Sequence, residues 1–64
     1  MNWKKVEIDL LYELYDVYLN KELEYINKIL TVKSNRARKI FAHKALYFSQ
    51  KAHGVAAQIF EIDK

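Results

Sequence analysis

The segment from Ile8 to Leu19 constrains the fold more than any other part of this chain. On a helix, at about 100° per residue, one face of this segment carries Ile8, Leu11, Tyr12, Tyr15, Tyr18 and Leu19. A second face, nearly opposite Ile8, carries Trp3, Val6, Leu10, Leu14 and Val17. The remaining polar lane consists of Asp9, Glu13, Asp16 and Asn20. A helix that is apolar around most of its circumference has to be covered on several sides. We therefore expect it to need more than one neighbouring helix.

The chain is short for the core that this helix requires. It has 64 residues with no Cys, no Pro and one Gly, and 52% of the residues are hydrophobic. A monomer of this size buries only about 60% of the surface of its unfolded chain. Disulfides and thiolate metal sites are excluded because there is no Cys. We therefore expect one helical domain over residues 1–64 that is stabilised by association with another chain.

The second half of the chain predicts one long helix over about residues 35–62. Its apolar stripe alternates strictly at intervals of four and three residues, namely Phe41, Ala45, Phe48, Ala52, Val55, Ile59 and Ile62. Gly54 lies outside the stripe, which keeps its phase on both sides of it. Because Gly destabilises a helix interior by about 1 kcal/mol relative to Ala, the alternative is a helix that ends at Gly54 and a third short helix after it.

The two helices are expected to form an antiparallel hairpin. Helix 1 is expected over about residues 2–31 and the turn over residues 32–34, with the Ser34 hydroxyl capping helix 2. A 3.6-residue period continues the main stripe of helix 1 through Leu23, Ile26, Ile29 and Leu30. In the corresponding register Ile26 faces Phe41, and Glu22 forms an ion pair with Lys44. The fold class is thus all-α, and we expect the hairpin to dimerise into a four-helix bundle.

Charge is distributed unevenly along the chain. Residues 1–32 carry a net charge of −2 and residues 33–64 a net charge of +5. A hairpin gathers one group of cations at its turn, namely Lys33, Arg36, Arg38 and Lys39. Positive charge near a helix N-terminus is locally unfavourable because of the helix dipole. We therefore interpret this group as a site for an anion, either a phosphate or an acidic protein surface. The alternative is a solvated basic end that keeps the protein soluble.

No residue set in the sequence specifies a catalytic or metal site. His43 and His53 are ten residues apart and lack Cys partners, and there is no Gly-rich phosphate loop. No apolar run is long enough for a membrane span, and the N-terminus lacks the apolar core of a signal peptide. We expect no enzyme activity, no cofactor, no metal and a cytoplasmic location. The abundance of Lys, Asn, Ile and Tyr is typical of AT-rich coding and favours a low-GC bacterium, its phage or a plasmid as the source.

Two resemblances define the alternatives. The segment Arg36-Ala-Arg-Lys-Ile-Phe-Ala-His43 is similar to the Arg-to-His signature of HEPN ribonucleases. These helical enzymes build their site across a dimer, so that resemblance implies Arg36 and His43 as catalytic candidates. In size and expected architecture the chain also resembles Rop-like RNA-binding helical dimers, which implies nucleic-acid binding by the basic turn end.

The pattern as a whole predicts a small non-enzymatic binding protein, a regulator or inhibitor that acts through protein–protein contacts. The expected partner-binding residues are the second apolar face of helix 1, namely Trp3, Val6, Leu10, Leu14 and Val17. The expected partner is a second copy of the chain, a larger host protein, or both. Nucleic acid is the alternative ligand.

Overall fold

The computed structural model describes residues 2–63 and contains two helices joined by a short turn. Helix α1 spans Trp3–Thr31 and helix α2 spans Asn35–Asp63, each with 29 residues. They pack along their length as an antiparallel hairpin with principal extents of 51 × 15 × 11 Å. The predicted all-α helical hairpin is confirmed. Because the hairpin is one helix thick, both of its broad sides are outer surfaces.

Each helix begins at a polar side chain that caps it. The Asn2 side-chain oxygen accepts a hydrogen bond from the backbone N–H of Lys5 at 3.2 Å. The Ser34 hydroxyl accepts from the backbone N–H of Ala37 at 3.3 Å. The first amides of a helix have no partner within the helix, so each cap satisfies one of them. Helix α2 therefore begins where the sequence supplies a hydroxyl after the turn.

Helix α2 continues through Gly54 without a break. No residue between 2 and 63 has a positive φ, and a Cβ added to Gly54 would meet no atom within 4 Å. Ala52 and Val55, on either side of it, are buried against α1. Their packing offsets the cost of about 1 kcal/mol that Gly imposes on a helix interior. The alternative of a third short helix after Gly54 is therefore wrong.

The buried core is small and lies on α2. Among residues 2–63 it consists of Ala45, Ala52, Val55 and Ile59, which are 8%, 2%, 6% and 8% exposed. Helix α1 contributes half-buried residues only. Three ring pairs cross the helix interface: Phe48 lies near both Tyr18 and Tyr25, with ring centroids 6.2 and 5.8 Å apart, and Tyr25 also lies 6.0 Å from Phe41.

The stripe that α1 turns toward α2 differs from the predicted one. Its half-buried residues are Ile8, Leu11, Tyr15, Tyr18, Leu19, Glu22, Tyr25 and Ile29. Leu23, Ile26 and Leu30, which a 3.6-residue period places in the stripe, are 50%, 36% and 76% exposed. Tyr25, and not Ile26, pairs with Phe41. The cause lies in α2, whose core repeats every seven residues. A helix that packs along it has to follow the same 3.5-residue period to stay in contact.

The predicted ion pair between Glu22 and Lys44 is absent. The Lys44 ammonium lies 5.7 Å from the centre of the Tyr25 ring, one helical turn away from Glu22. The Lys44 ammonium therefore has an aromatic face as its neighbour instead of a carboxylate. Within residues 2–63 the ion pair that does form joins Lys21 and Glu24 on the surface of α1, at 3.4 Å.

Candidate functional site: two apolar faces and a basic end

The hairpin leaves many large apolar side chains exposed. Thirteen large hydrophobic residues between positions 2 and 63 are at least 36% exposed, whereas four residues form the core. Soluble monomers rarely expose large contiguous apolar patches, and such patches mark interaction surfaces. The exposed side chains divide between the two broad sides of the hairpin, so the candidate functional site consists of two faces.

The first apolar face is the one that the sequence predicts, and we name it the Trp3 face. It consists of Trp3, Val6, Leu10, Leu14 and Val17, which are 72%, 36%, 60%, 39% and 53% exposed. On α1 these residues fall within an arc of about 80°. Leu14 shares a groove with Tyr18, Tyr47 and Gly54, so this side of the hairpin extends from α1 onto α2. Ile40, seven residues before Tyr47 on α2, is exposed on the same side.

The second apolar face lies on the other broad side, and sequence analysis did not predict it. We name it the Leu46 face; it consists of Tyr12, Leu23, Ile26, Leu30, Leu46 and Phe60, which are 53%, 50%, 36%, 76%, 56% and 68% exposed. Tyr12 and Phe60 line one groove together with Ala56. Tyr12 and Leu14 are separated by about 200° around α1, and they line different grooves. The Leu46 face therefore points away from the Trp3 face.

A signal for the Leu46 face was present in the sequence. Three residues of α2 are spaced by seven and each directly follows a core residue: Leu46 follows Ala45, His53 follows Ala52 and Phe60 follows Ile59. In a helix with a seven-residue core repeat, such residues form a continuous lane beside the core. Large apolar side chains at two of these three positions mark an apolar lane on α2.

The half of the helix interface nearer the turn is built from aromatic rings. Tyr25 stacks on Phe48 with centroids 5.8 Å apart and an interplanar angle of 7°. The Lys28 ammonium lies 4.9 Å above the centre of the Tyr25 ring. Tyr18 and Tyr25 are half-buried between the helices, so their faces are used within the hairpin. They act as packing anchors and do not form a platform on which nucleic-acid bases could stack.

The four cations of the basic turn end are all exposed, and one of them has an intramolecular role. These cations are Lys33, Arg36, Arg38 and Lys39. Nε of Arg38 donates to the backbone carbonyl of Val32, the C-cap of α1, at 3.1 Å. The C-terminus of α1, where unpaired carbonyls concentrate negative charge, lies beside the N-terminus of α2. Arg38 therefore stabilises the turn, and its position needs no external anion as an explanation.

The remaining three cations stay available for a ligand. Within the part of the chain from 2 to 63, no hydrogen bond involves the side chains of Lys33, Arg36 or Lys39. The structure does not bring them into contact with the Trp3 face, which lies in the half of the hairpin away from the turn. The predicted site residues thus form two separate groups, one apolar and one basic.

The residues considered for catalysis and metal binding are on the surface. Arg36 and His43 are both exposed on α2, and no hydrogen bond joins them in the described region. His43 and His53 are exposed, and no cluster of three or more His, Cys, Asp or Glu residues that could hold a metal ion occurs between residues 2 and 63. Neither helix, over its described length, has the extent and apolar character that crossing a bilayer requires.

Comparison of the chain with protein-family models, with curated proteins and with solved structures gave no match. Its class therefore follows from its own architecture. It is an all-α helical hairpin with a small core, one apolar face on each broad side and a basic turn end.

Proposed function

We propose that this chain is a small non-enzymatic binding protein, a regulator or inhibitor that acts by covering a surface of a larger protein with its Trp3 face. The observation that carries the proposal is the exposure of five apolar side chains along one lane of α1, with Trp3 72% and Leu10 60% exposed. Trp is enriched among the residues that dominate binding energy at protein interfaces. An exposed Trp beside an exposed Leu is therefore a suitable anchor pair for a pocket on another protein.

The border of the Trp3 face indicates the chemistry of its partner. Glu7 and Glu13 are exposed and lie on the two sides of the apolar arc, each about 60° from Leu10 around α1. An apolar centre with a charged rim is the usual anatomy of a protein interface. The acidic rim favours a partner groove edged by Lys or Arg. The same rim disfavours a surface of anionic lipid, which would repel it.

Binding of a nucleic acid by the basic turn end is the second candidate. It is favoured by Lys33, Arg36 and Lys39, which lie exposed at one end of the hairpin. Phosphate binding through these side chains would weaken steeply as salt increases, because each neutralised phosphate releases counterions. Binding through the Trp3 face would persist at moderate salt, since it rests on buried apolar area.

The experiment is a pull-down from a lysate of the native host with three tagged chains, each assayed with nuclease and without. Leu10→Asp places a charge in the centre of the Trp3 face. Asn20→Asp is the matched control, because it adds the same charge to an exposed position of α1 outside that face. Arg36→Glu combined with Lys39→Glu reverses charge at the turn end and leaves Arg38 intact.

We expect the wild type and Asn20→Asp to capture the same partner protein in the presence of nuclease. Leu10→Asp should not capture it. A ligand that disappears with nuclease, or with the two charge reversals alone, would establish the nucleic-acid alternative. Capture that is equal for the wild type and Leu10→Asp would show that the Trp3 face is not the binding surface.

A further inference from the structure

We propose that the Leu46 face is the contact between two copies of this chain, which lie side by side with their turns at the same end and form a four-helix bundle. The proposal concerns the face that the proposed function leaves unused. It rests on three features of that face: its apolar length, the sizes of its side chains and the positions of its charges.

The Leu46 face carries exposed apolar side chains at both ends of the hairpin, whereas the Trp3 face does not. Leu30 lies near the turn and Phe60 near the opposite end, and both are more than two-thirds exposed. The Trp3 face ends at Val17, and the exposed residues that continue its side of α1 toward the turn are Lys21 and Glu24. A second hairpin needs a full-length apolar surface to bury both of its helices. The Leu46 face meets that requirement.

On this side of the hairpin, the lanes that border the core stripe carry large side chains on α1 and small ones on α2. Beside the core stripe α1 carries Tyr12, Leu19 and Ile26, spaced by seven residues. The corresponding lane of α2 carries Ala42, Ser49 and Ala56, also spaced by seven. When α1 of one copy lies on α2 of the other, large side chains meet small ones at each level and the helices can approach closely. Stacking α1 on α1 would instead place large side chains against one another.

The register of the hairpin gives the levels at which the two copies meet. Helix α1 ends at Thr31 and α2 begins at Asn35, so the middle of α1 at Val17 is about level with the middle of α2 at Ser49. A two-fold axis parallel to the hairpin leaves each residue at the same height along the long axis in both copies. It also puts α1 of each copy opposite α2 of the other. Leu23 of one copy then lies within about 4.5 Å of the level of Leu46 in the second, at 1.5 Å per residue.

Polar side chains at the border of the face meet complementary partners in the same arrangement. The Asp16 carboxylate lies within about 4.5 Å of the level of the His53 ring of the second copy, and Lys5 lies within about 3 Å of the level of Asp63. With the turns at opposite ends, α1 would instead lie on α1. That arrangement stacks the large side chains of α1 on one another. Side-chain size therefore favours the same-end arrangement, even though it brings the basic turn ends of the two copies together.

The test uses two single variants that cannot pair with themselves but can pair with each other. Leu23→Lys and Leu46→Glu each place a charge at the predicted contact, and each should halve the mass measured by light scattering or sedimentation. In an equimolar mixture, Lys at 23 of one chain meets Glu at 46 of the other, while the remaining Leu23 and Leu46 meet each other. The mixture should therefore regain the dimer mass. Circular dichroism follows the helix content, so a variant that unfolds alone still reports recovery on mixing.

Leu10→Lys is the matched control, because it adds a charge to an exposed Leu of the Trp3 face. It should keep the dimer mass while it abolishes capture of a partner, so loss of the dimer and loss of the proposed function are separate results. The proposal is overturned if the wild type is a monomer at micromolar concentrations. It is also overturned if Leu10→Lys dissociates the dimer and Leu46→Glu does not. A mixture that stays dissociated would exclude the same-end arrangement.

Discussion

Replacing Gly54 with Ala should stabilise this protein. Gly54 lies in the middle of α2, where no backbone conformation requires Gly, since no residue between 2 and 63 has a positive φ. A Cβ at this position would meet no atom within 4 Å. The substitution therefore removes no contact and creates no clash within the chain. Its effect comes from the helix propensity of Ala and from the lower entropy of the unfolded chain.

The magnitude follows from the position of Gly54 inside a formed helix. Gly is less favourable than Ala in a helix interior by about 0.8 to 1.0 kcal/mol. The flanking Ala52 and Val55 are 2% and 6% exposed, so the helix is fixed here by packing and the full difference applies. In a domain of this length, a gain of about 1 kcal/mol raises the unfolding midpoint by roughly 4 to 8 °C.

The assay is thermal and urea unfolding followed by far-ultraviolet circular dichroism. All variants are compared at one chain concentration, because association makes the midpoint concentration-dependent. Gln58→Ala is the control: Gln58 is exposed in the groove that contains Gly54, and Gln and Ala differ little in helix propensity. Its free energy of unfolding should change by less than about 0.5 kcal/mol.

An unchanged or lower midpoint for Gly54→Ala would refute the reasoning. It would mean that another chain approaches the α2 backbone at Gly54 in the protein as purified, so that the added methyl group displaces it. A variant that is more stable but no longer captures a partner would place that partner in the groove between Leu14 and Gly54.

Two further predictions concern the turn. Ser34→Ala removes the hydroxyl that accepts from the Ala37 amide, so it should lower the free energy of unfolding by about 1 kcal/mol. Ser34→Asp keeps an acceptor at the cap and should retain stability. Urea unfolding of the two variants tests this. Arg38→Gln removes the donor to the Val32 carbonyl and should cost up to about 1 kcal/mol. Arg36→Gln is the control, because Arg36 is exposed and makes no such bond. In the same urea titration it should change the free energy of unfolding by less than about 0.5 kcal/mol. Equal losses for the two variants would contradict the proposed role of Arg38.

The hairpin and its turn could be predicted because their signals are local. The strict spacing of apolar residues in α2 gives its buried side directly, and Ser34 is a strong cap next to the only break in the two apolar patterns. The exposure of the Trp3 face also follows from the sequence, since a single neighbouring helix covers one side of α1. These inferences need no knowledge of how the two helices meet.

The buried side of α1 could not be predicted from α1 alone. After Tyr15 its sequence offers apolar residues on both of two adjacent lanes, one with Tyr18 and Tyr25 and one with Leu23 and Ile26. Helix α2 decides between them, because its seven-residue repeat requires a matching repeat on α1. The choice leaves Leu23 and Ile26 exposed, and they become part of the Leu46 face. The predicted stripe and the unpredicted face are thus consequences of the same packing.

The placement of the two apolar faces on opposite sides constrains what a complex of this protein can look like. If two copies bury their Leu46 faces against each other, the two Trp3 faces point outward on opposite sides of the bundle. One bundle then offers two equivalent binding surfaces, and a partner with two suitably spaced sites gains effective concentration without any new contact. With both turns at one end, Lys33, Arg36 and Lys39 of the two copies also combine into a single basic surface. Self-association through the Leu46 face would therefore strengthen both candidate binding activities, because it doubles each surface without covering either.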